Sequence, residues 1–129
     1  MLVGALSGGG NGASGNVNLT TGQTTTISTG LSSVKRFVIF QVFWDGTYYW
    51  FSTSVYDADK NGTYYGGQQF NGINSFTGGK NALGTAVDST RCVTINSISN
   101  GDISITAPSL SNYIGTFTWY AECNKSEIT

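Results

Sequence analysis

A short run of oxygen-bearing residues near the middle of the chain has the spacing of a calcium-binding loop. Asp57, Asp59 and Asn61 alternate and are followed by Gly62, as in the first half of that pattern, where oxygen ligands alternate and glycine allows a sharp turn. Gln68 stands where the pattern requires a bidentate glutamate, and the flanks are strand-like. We favour the alternative, a hairpin turn whose Asp and Asn side chains bond to their own backbone. No cofactor is expected, unless the loop binds Ca²⁺.

Aromatic residues are the second group that could carry a function. The chain contains three Trp, seven Tyr and seven Phe residues, and we do not expect a core of this size to bury all of them. Exposed rings can stack on sugars or anchor a protein interface. The alternative, which we favour, is that the rings pack between two sheets or between identical subunits. The candidate ligand or interface residues are Trp44, Tyr48, Trp50, Tyr56, Tyr64 and Tyr65.

Catalysis is disfavoured by the residue types present. The chain has no histidine, which is the side chain most often used for general acid–base chemistry and the most common transition-metal ligand. It also has no GxSxG nucleophile motif. Most carboxylates that could form a glycosidase pair lie in apparent turns or near a terminus. They are Asp45, Asp57, Asp59, Asp88, Asp102, Glu122 and Glu127. We predict no catalytic residue and a protein that is not an enzyme.

The charge of the chain argues against two classes of partner. Six basic and seven acidic residues give a net charge of -1, so there is no electrostatic footprint for nucleic acid or an anionic membrane. No segment approaches the roughly 20 apolar residues of a membrane span, and we expect no membrane insertion. Charged residues make up only 10% of the chain, so Gly, Ser, Thr and Asn must supply most of the polar surface.

The elements that would position these residues are β-strands. From Val17 onward, β-branched and aromatic residues recur with a period of two and are interrupted by Gly, Asn and Asp. We predict an all-β, antiparallel β-sandwich, jelly-roll or immunoglobulin-like, with about seven to nine strands. The predicted strands are residues 17–21, 23–29, 34–44, 47–56, 63–70, 90–98, 102–107 and 113–123.

The strand predicted at residues 34–44 is apolar on both faces. Alternation places one set of side chains on one face and a second set on the other. The first set is Phe37, Ile39 and Phe43, and the second is Val38, Phe40, Val42 and Trp44. This strand should be central in its sheet, or a partner subunit should cover its second face. Asp45-Gly46 predicts a tight hairpin after it, and the Gly/Asn-rich residues 71–84 form the longest predicted loop.

Two further features concern the domain boundary and the cysteines. Residues 1–16 form a flexible Gly/Ser/Asn-rich linker or tail, and residues 17–129 a single domain. The segment is equally consistent with a tether cut from a longer chain and with a disordered N-terminus. Cys92 and Cys123 lie in separate strand-like runs, where a disulfide is geometrically allowed, but we favour two free buried thiols.

The sequence also carries a resemblance. A Gly-rich lead is followed by TTTISTGLSSVKRFVIF, then by a tyrosine-rich hairpin and a closing GTFTWYAEC. Over most of residues 17–123 this order resembles small β-modules in structural proteins of bacteriophage and prophage virions. Such modules occur in tail fibres, receptor-binding tips, head fibres and decoration proteins, often as homotrimers. The resemblance implies a homo-oligomer, with a trimer favoured, in contact with other virion proteins; it carries over no functional residue.

Three functions are compatible with these observations. The expected one is a virion module, a fibre or receptor-binding domain that recognises a host-surface glycan or protein after assembly in the host cytoplasm. The alternative is a capsid or tail decoration protein with a purely architectural role. The third, a polysaccharide hydrolase, would depend on one or two of the aspartates.

Overall fold

The computed structural model describes residues 11–44, 49–58, 62–64, 73–77 and 89–123. At residues 43–44, 49–51, 62–64 and 73–77 it describes the backbone path only. Apart from one short 3-10 helix (Ser111–Tyr113), the regular elements in this part of the chain are β-strands. The same residues contain no helix that is long and apolar enough to cross a lipid bilayer.

The strands build two sheets, and the prediction of an all-β sandwich is confirmed. Their bounds are β1 (Gly12–Leu19), β2 (Thr24–Ser28), β3 (Arg36–Trp44), β4 (Tyr49–Asp57), β5 (Gly62–Tyr64), β6 (Ile73–Thr77), β7 (Thr94–Ser99), β8 (Asp102–Thr106) and β9 (Gly115–Glu122). A six-stranded sheet has the order β1-β9-β3-β4-β5, with β6 paired to β4, and a three-stranded sheet has the order β2-β8-β7. As predicted, β3 is a central strand, between β9 and β4.

The first strand begins earlier than predicted. β1 starts at Gly12, so residues 12–16, which we assigned to the linker, pair with β9. A segment with so little side chain can serve as a strand here because rings of β9 occupy the space beside it. A Cβ atom at Gly15 would lie 2.9 Å from the Trp119 ring, and one at Gly12 would lie 3.0 Å from the Tyr120 hydroxyl.

The predicted loop over residues 71–84 contains a strand. β6 (Ile73–Thr77) pairs in parallel with the first half of β4, so one pair departs from the predicted antiparallel arrangement. β5 pairs antiparallel with the end of β4, from Val55 to Asp57, and the two short strands share that edge of β4. The Asp45-Gly46 turn and residues 65–70 of the fifth predicted strand lie outside the described residues.

An apolar layer between the sheets forms the core. The three-stranded sheet contributes isoleucines that alternate with hydroxyl residues, and β3 and β9 contribute the rings of Phe37, Phe117 and Trp119. Phe37 and Trp119 lie with their ring centroids 6.4 Å apart, in the range of favourable aromatic contacts. Cys92 and Cys123 are both buried thiols with no disulfide between them, as we favoured. Because this layer is enclosed between the two sheets, the side chains that form it point inward.

Beneath β4 the interior becomes polar. Ser52 and Ser54 are buried, at 1% and 3% exposure, and their hydroxyls donate to the carbonyls of Arg91 and Val93, each at 2.6 Å. These two bonds cross from the six-stranded sheet to the segment that leads into β7. They satisfy buried carbonyl groups that would otherwise cost free energy. We call the side of the sandwich formed by β4 and β7 the β4–β7 flank.

Candidate functional site

The outward side of β3 carries several apolar side chains. Phe37 and Ile39 point into the core at 1% exposure, whereas Val38 and Phe40 are half-buried and Val42 is 49% exposed. The alternation predicted for this strand is therefore confirmed from Phe37 to Val42, and the side chains of Phe43 and Trp44 lie outside the description. Val55 of β4 pairs with Val38 and adds to the same face. We call Val38, Phe40, Val42 and Val55 the apolar strip.

Beside the apolar strip, a row of side chains on β1 and β9 is polar and uncharged. Thr118 pairs with Asn16, and its hydroxyl donates to the Asn16 side-chain oxygen at 2.9 Å. Thr116 makes the same contact with Asn18 at 3.5 Å. These exposed pairs repeat along the strands, so they form a polar border beside the apolar strip.

A charged row closes one end of this face. The register aligns Glu122 of β9, Arg36 of β3 and Asp57 of β4 across three adjacent strands. The Arg36 guanidinium donates to a Glu122 carboxylate oxygen at 2.7 Å, and its Nε lies 3.5 Å from the Asp57 carboxylate. Arg36 thus lies between the two acids and holds both. Because its side chain is 46% exposed, solvent screens the pairs and their contribution to stability is modest.

Tyr120 lies beside this row and is 44% exposed. Its hydroxyl donates to the second Glu122 oxygen at 3.3 Å. Partial burial, followed by the charge of Glu122 and that hydrogen bond, raises the pKa of Tyr120 above its usual value near 10. The phenol therefore stays protonated at neutral pH and presents an apolar ring with a polar tip.

The predicted aromatic residues are distributed unevenly. Tyr56 is half-buried and packs against the core, as our favoured alternative had it. For Trp44, Trp50 and Tyr64 the structure gives backbone positions: Trp44 pairs with Tyr49, Trp50 with Phe43, and Tyr64 with Val55. Trp44 and Trp50 therefore lie at the same end of the β3–β4 hairpin. Tyr48 and Tyr65 lie outside the described residues.

The predicted calcium ligands are only partly placed. Asp57 ends β4, is 7% exposed and is held by Arg36, so at least part of its charge is already compensated by an ion pair. Asp59 and Asn61 lie outside the described residues. Within the ranges that the structure describes, His, Cys, Asp and Glu form no group of three that could hold a metal ion.

Two members of the site were missed as site residues from the sequence. Arg36 and Tyr120 were only included in the predicted strands at residues 34–44 and 113–123. The signal that links them is the register between β9, β3 and β4, which joins residues far apart in the chain. Alternation within one strand shows which way a side chain points but not which strand lies beside it.

Comparison with known proteins adds no relative from which a role could be carried over. The sequence matches no protein-family model, and no curated protein or solved structure is significantly similar to it. The function must therefore be argued from the apolar strip, its polar border and the charged row.

Proposed function

We propose that the chain is a non-enzymatic module of a bacteriophage virion, a fibre or receptor-binding domain that recognises a host-surface glycan or protein. It acts as a homo-oligomer, with a trimer expected from the family resemblance, and reaches the outside of the cell as part of the virion. The binding surface is the apolar strip together with Tyr120. The observation that carries the proposal is the outward row of Val38, Phe40 and Val42 on a central strand.

An apolar row in the middle of a sheet face is informative because of its continuity. Scattered apolar residues are normal on protein surfaces, whereas a contiguous row bordered by polar residues is typical of an interaction site. Here the Asn–Thr pairs form the border on one side and the charged row closes one end. The strip therefore has the composition of an interface centre with a hydrated rim.

The arrangement of two of the candidate carboxylates, Asp57 and Glu122, supports binding over hydrolysis. A glycosidase needs two carboxyl groups with space between them for the sugar and, in inverting enzymes, for a water molecule. Asp57 and Glu122 share the same sheet face, but the Arg36 side chain lies between them and contacts both. The space that a substrate would need is filled by a guanidinium group.

A second candidate is the architectural role, in which the strip binds a capsid or tail protein. One observation favours it: Val38, Val42 and Val55 are aliphatic and carry no polar group. Sugar recognition relies on aromatic stacking combined with directed hydrogen bonds. On the described part of the strip, Phe40 and the adjacent Tyr120 are the aromatic residues that could stack on a sugar.

The test compares a charge placed on the strip with the same charge placed elsewhere. Val42→Lys adds a charge to the most exposed position of the strip, and Ser97→Lys adds one to an exposed position of β7 in the other sheet. We expect Val42→Lys to abolish binding in a glycan array and in adsorption of the virion to host cells. Ser97→Lys should behave as the unmodified protein.

The outcomes separate the candidates. Glycan or cell binding that is lost with Val42→Lys and with Tyr120→Ala supports the receptor-binding role. Loss of incorporation into the virion, with no glycan or cell-surface ligand, supports the architectural role. The proposal is wrong if Val42→Lys, still folded by circular dichroism, changes neither binding nor incorporation.

A further inference from the structure

On one side of the sandwich, the last strand of each sheet has an outer edge that pairs with no other described strand. β1 is the last strand of the six-stranded sheet and pairs with β9 through eight residues. β2 is the last strand of the three-stranded sheet and pairs with β8 through five residues. In the described part of the chain no other strand contacts their second edges, so alternate N–H and C=O groups point outward along both.

The two open edges lie on the same side of the molecule. β1 and β2 are joined only by residues 20–23, a tight turn closed by a 3.0 Å bond from the Gln23 N–H to the Thr20 carbonyl. On the opposite side, β4 lies against the segment before β7 through the Ser52 and Ser54 bonds. β1 and β2 therefore lie on the same side in two packed sheets, and packed sheets usually lie about 10 Å apart. We call this side the β1–β2 flank.

The β1–β2 flank lacks the features that normally block edge-to-edge pairing. Natural edge strands are protected by charged residues, proline, bulges or very short length. The sequences of β1 and β2, GASGNVNL and TTTIS, contain no charge and no proline, and the register of each is unbroken. The other edge of the three-stranded sheet is different, because β7 has a register shift between Ile95 and Ser97.

We propose that the β1–β2 flank is an interface between two copies of this chain, related by a two-fold axis perpendicular to the sheets. Such an axis sets β1 antiparallel to β1 of the second copy and, in the same operation, β2 antiparallel to β2. Both sheets then continue across the boundary. The contact is isologous, as in most symmetric dimers.

The second copy fits this flank better than an unrelated extended peptide does. A single strand could pair with one edge only and would leave the other open. Two edges at a fixed separation are matched by a body that carries two edges at the same separation, and this chain carries them. Its uncharged strands can meet their own copies without like-charge repulsion. Pairing would also cover Ala13 and Val17, which are partly buried against the core.

The inference does not rest on the proposed function. It uses backbone groups at the edges of the sheets, whereas the proposed binding surface is the outer side of β3 and β4. Two-fold pairing through the flank and a three-fold contact elsewhere are compatible in one particle. A particle that has both contacts is two trimers joined through their flanks, so it contains an even number of copies.

The experiment places charge on the flank and measures mass by light scattering at micromolar concentration. Asn16→Lys combined with Thr26→Lys adds one exposed charge near the middle of each edge strand. The control, Thr116→Lys with Ser104→Lys, adds the same charges to the outer faces of the adjacent strands β9 and β8. We expect an even multiple of 13.6 kDa for the unmodified chain, a twofold fall in mass for the flank variant and no change for the control.

Hydrogen exchange supplies a second readout that does not require a substitution. Amides of β1 that point away from β9, and amides of β2 that point away from β8, should exchange more slowly as protein concentration rises. The exchange rates of amides in the turn at residues 20–23 should not change. A monomer, an odd number of copies, or a folded flank variant that keeps the full mass would overturn the inference. If the mass falls but binding through the apolar strip is retained, the flank contact stands whatever the outcome for the proposed function.

Discussion

The two flanks of the sandwich are closed in different ways. At the β4–β7 flank, Ser52 and Ser54 donate hydrogen bonds to carbonyl groups of the opposite layer. At the β1–β2 flank the chain itself joins the sheets, and the contacts that secure it lie at the ends of β2. There the Gly22 N–H donates to the Pro108 carbonyl at 3.0 Å, and the Thr29 hydroxyl donates to the Gly101 carbonyl at 2.6 Å.

The two flanks therefore differ in whether their polar groups are already used in hydrogen bonds or are available to a partner. The hydrogen bonds across the β4–β7 flank pair polar groups inside the sandwich, where an unsatisfied carbonyl group would lower the stability of the fold. Contacts at the ends of β2 hold the β1–β2 flank in place but leave its edges free along their length. One flank can therefore be stable and still offer backbone groups to a partner, and substitutions in the two flanks should have different costs.

The largest effect is expected at the end of β2. A Cβ atom at Gly101 would overlap the Leu31 carbonyl oxygen and would lie 2.9 Å from the Thr29 hydroxyl. The nearer atom belongs to the backbone and cannot rotate away, so Gly101→Ala must displace the turn before β8. We expect a loss of about 3 kcal/mol in the free energy of unfolding, at the upper end for overpacking. Urea denaturation measures it, and a change under 1 kcal/mol would show that this turn yields easily.

The next effect is expected inside β1. Gly15→Ala puts a methyl group within 2.9 Å of the Trp119 ring, which is only 8% exposed and has little room to move. We expect a cost of about 2 kcal/mol. The matched control is Gly12→Ala on the same strand, where the nearest atom is the hydroxyl of the half-exposed Tyr120 at 3.0 Å. That ring can swing outward, so the control should be close to neutral; equal costs would contradict this account of the early start of β1.

These two glycines also show where the sequence was sufficient and where it was not. The period of two and the turns between strands predicted β3, β4, β8 and β9 to within a few residues, because each pattern is local. Residues 12–16 were assigned to a linker because they lack side chains to bury. What makes them a strand is the space required by rings about a hundred residues later in the chain, and alternation does not carry that information.

The candidate site also has a part that the sequence predicts and a part that it does not. The outward placement of Val38, Phe40 and Val42 follows from alternation along β3 alone. The charged row requires Arg36 to lie between β4 and β9 in one register, which pairs it with residues 57 and 122. β6 was missed for a related reason, since it is a short strand in a Gly/Asn-rich run and pairs in parallel with a distant strand. Non-local pairing is set by packing of the whole domain.

A smaller effect than that of Gly15 is expected at the β4–β7 flank. Ser54→Ala removes the hydroxyl that donates to the Val93 carbonyl and leaves that acceptor unmet in the interior. We expect a loss of about 1 to 1.5 kcal/mol. Ser28→Ala makes the same chemical change at an exposed position of β2 and should have little effect. If both substitutions lower the free energy of unfolding equally, the hydrogen bonds of the buried serines do not stabilise the β4–β7 flank.

The smallest effect concerns ionisation beside β1. Tyr120 lies next to Gly12, and its raised pKa comes from partial burial and then from Glu122. A phenol is neutral when protonated, so a raised pKa in the folded state favours folding below pH 10, and this contribution disappears as pH rises through the folded pKa. Glu122→Gln keeps an acceptor oxygen but removes the charge, and should lower the Tyr120 pKa. Absorbance of the phenolate against pH measures the shift, with Tyr120→Phe identifying which of the seven tyrosines titrates. An unchanged titration in Glu122→Gln would show that the charge of Glu122 does not contribute to the raised pKa of Tyr120.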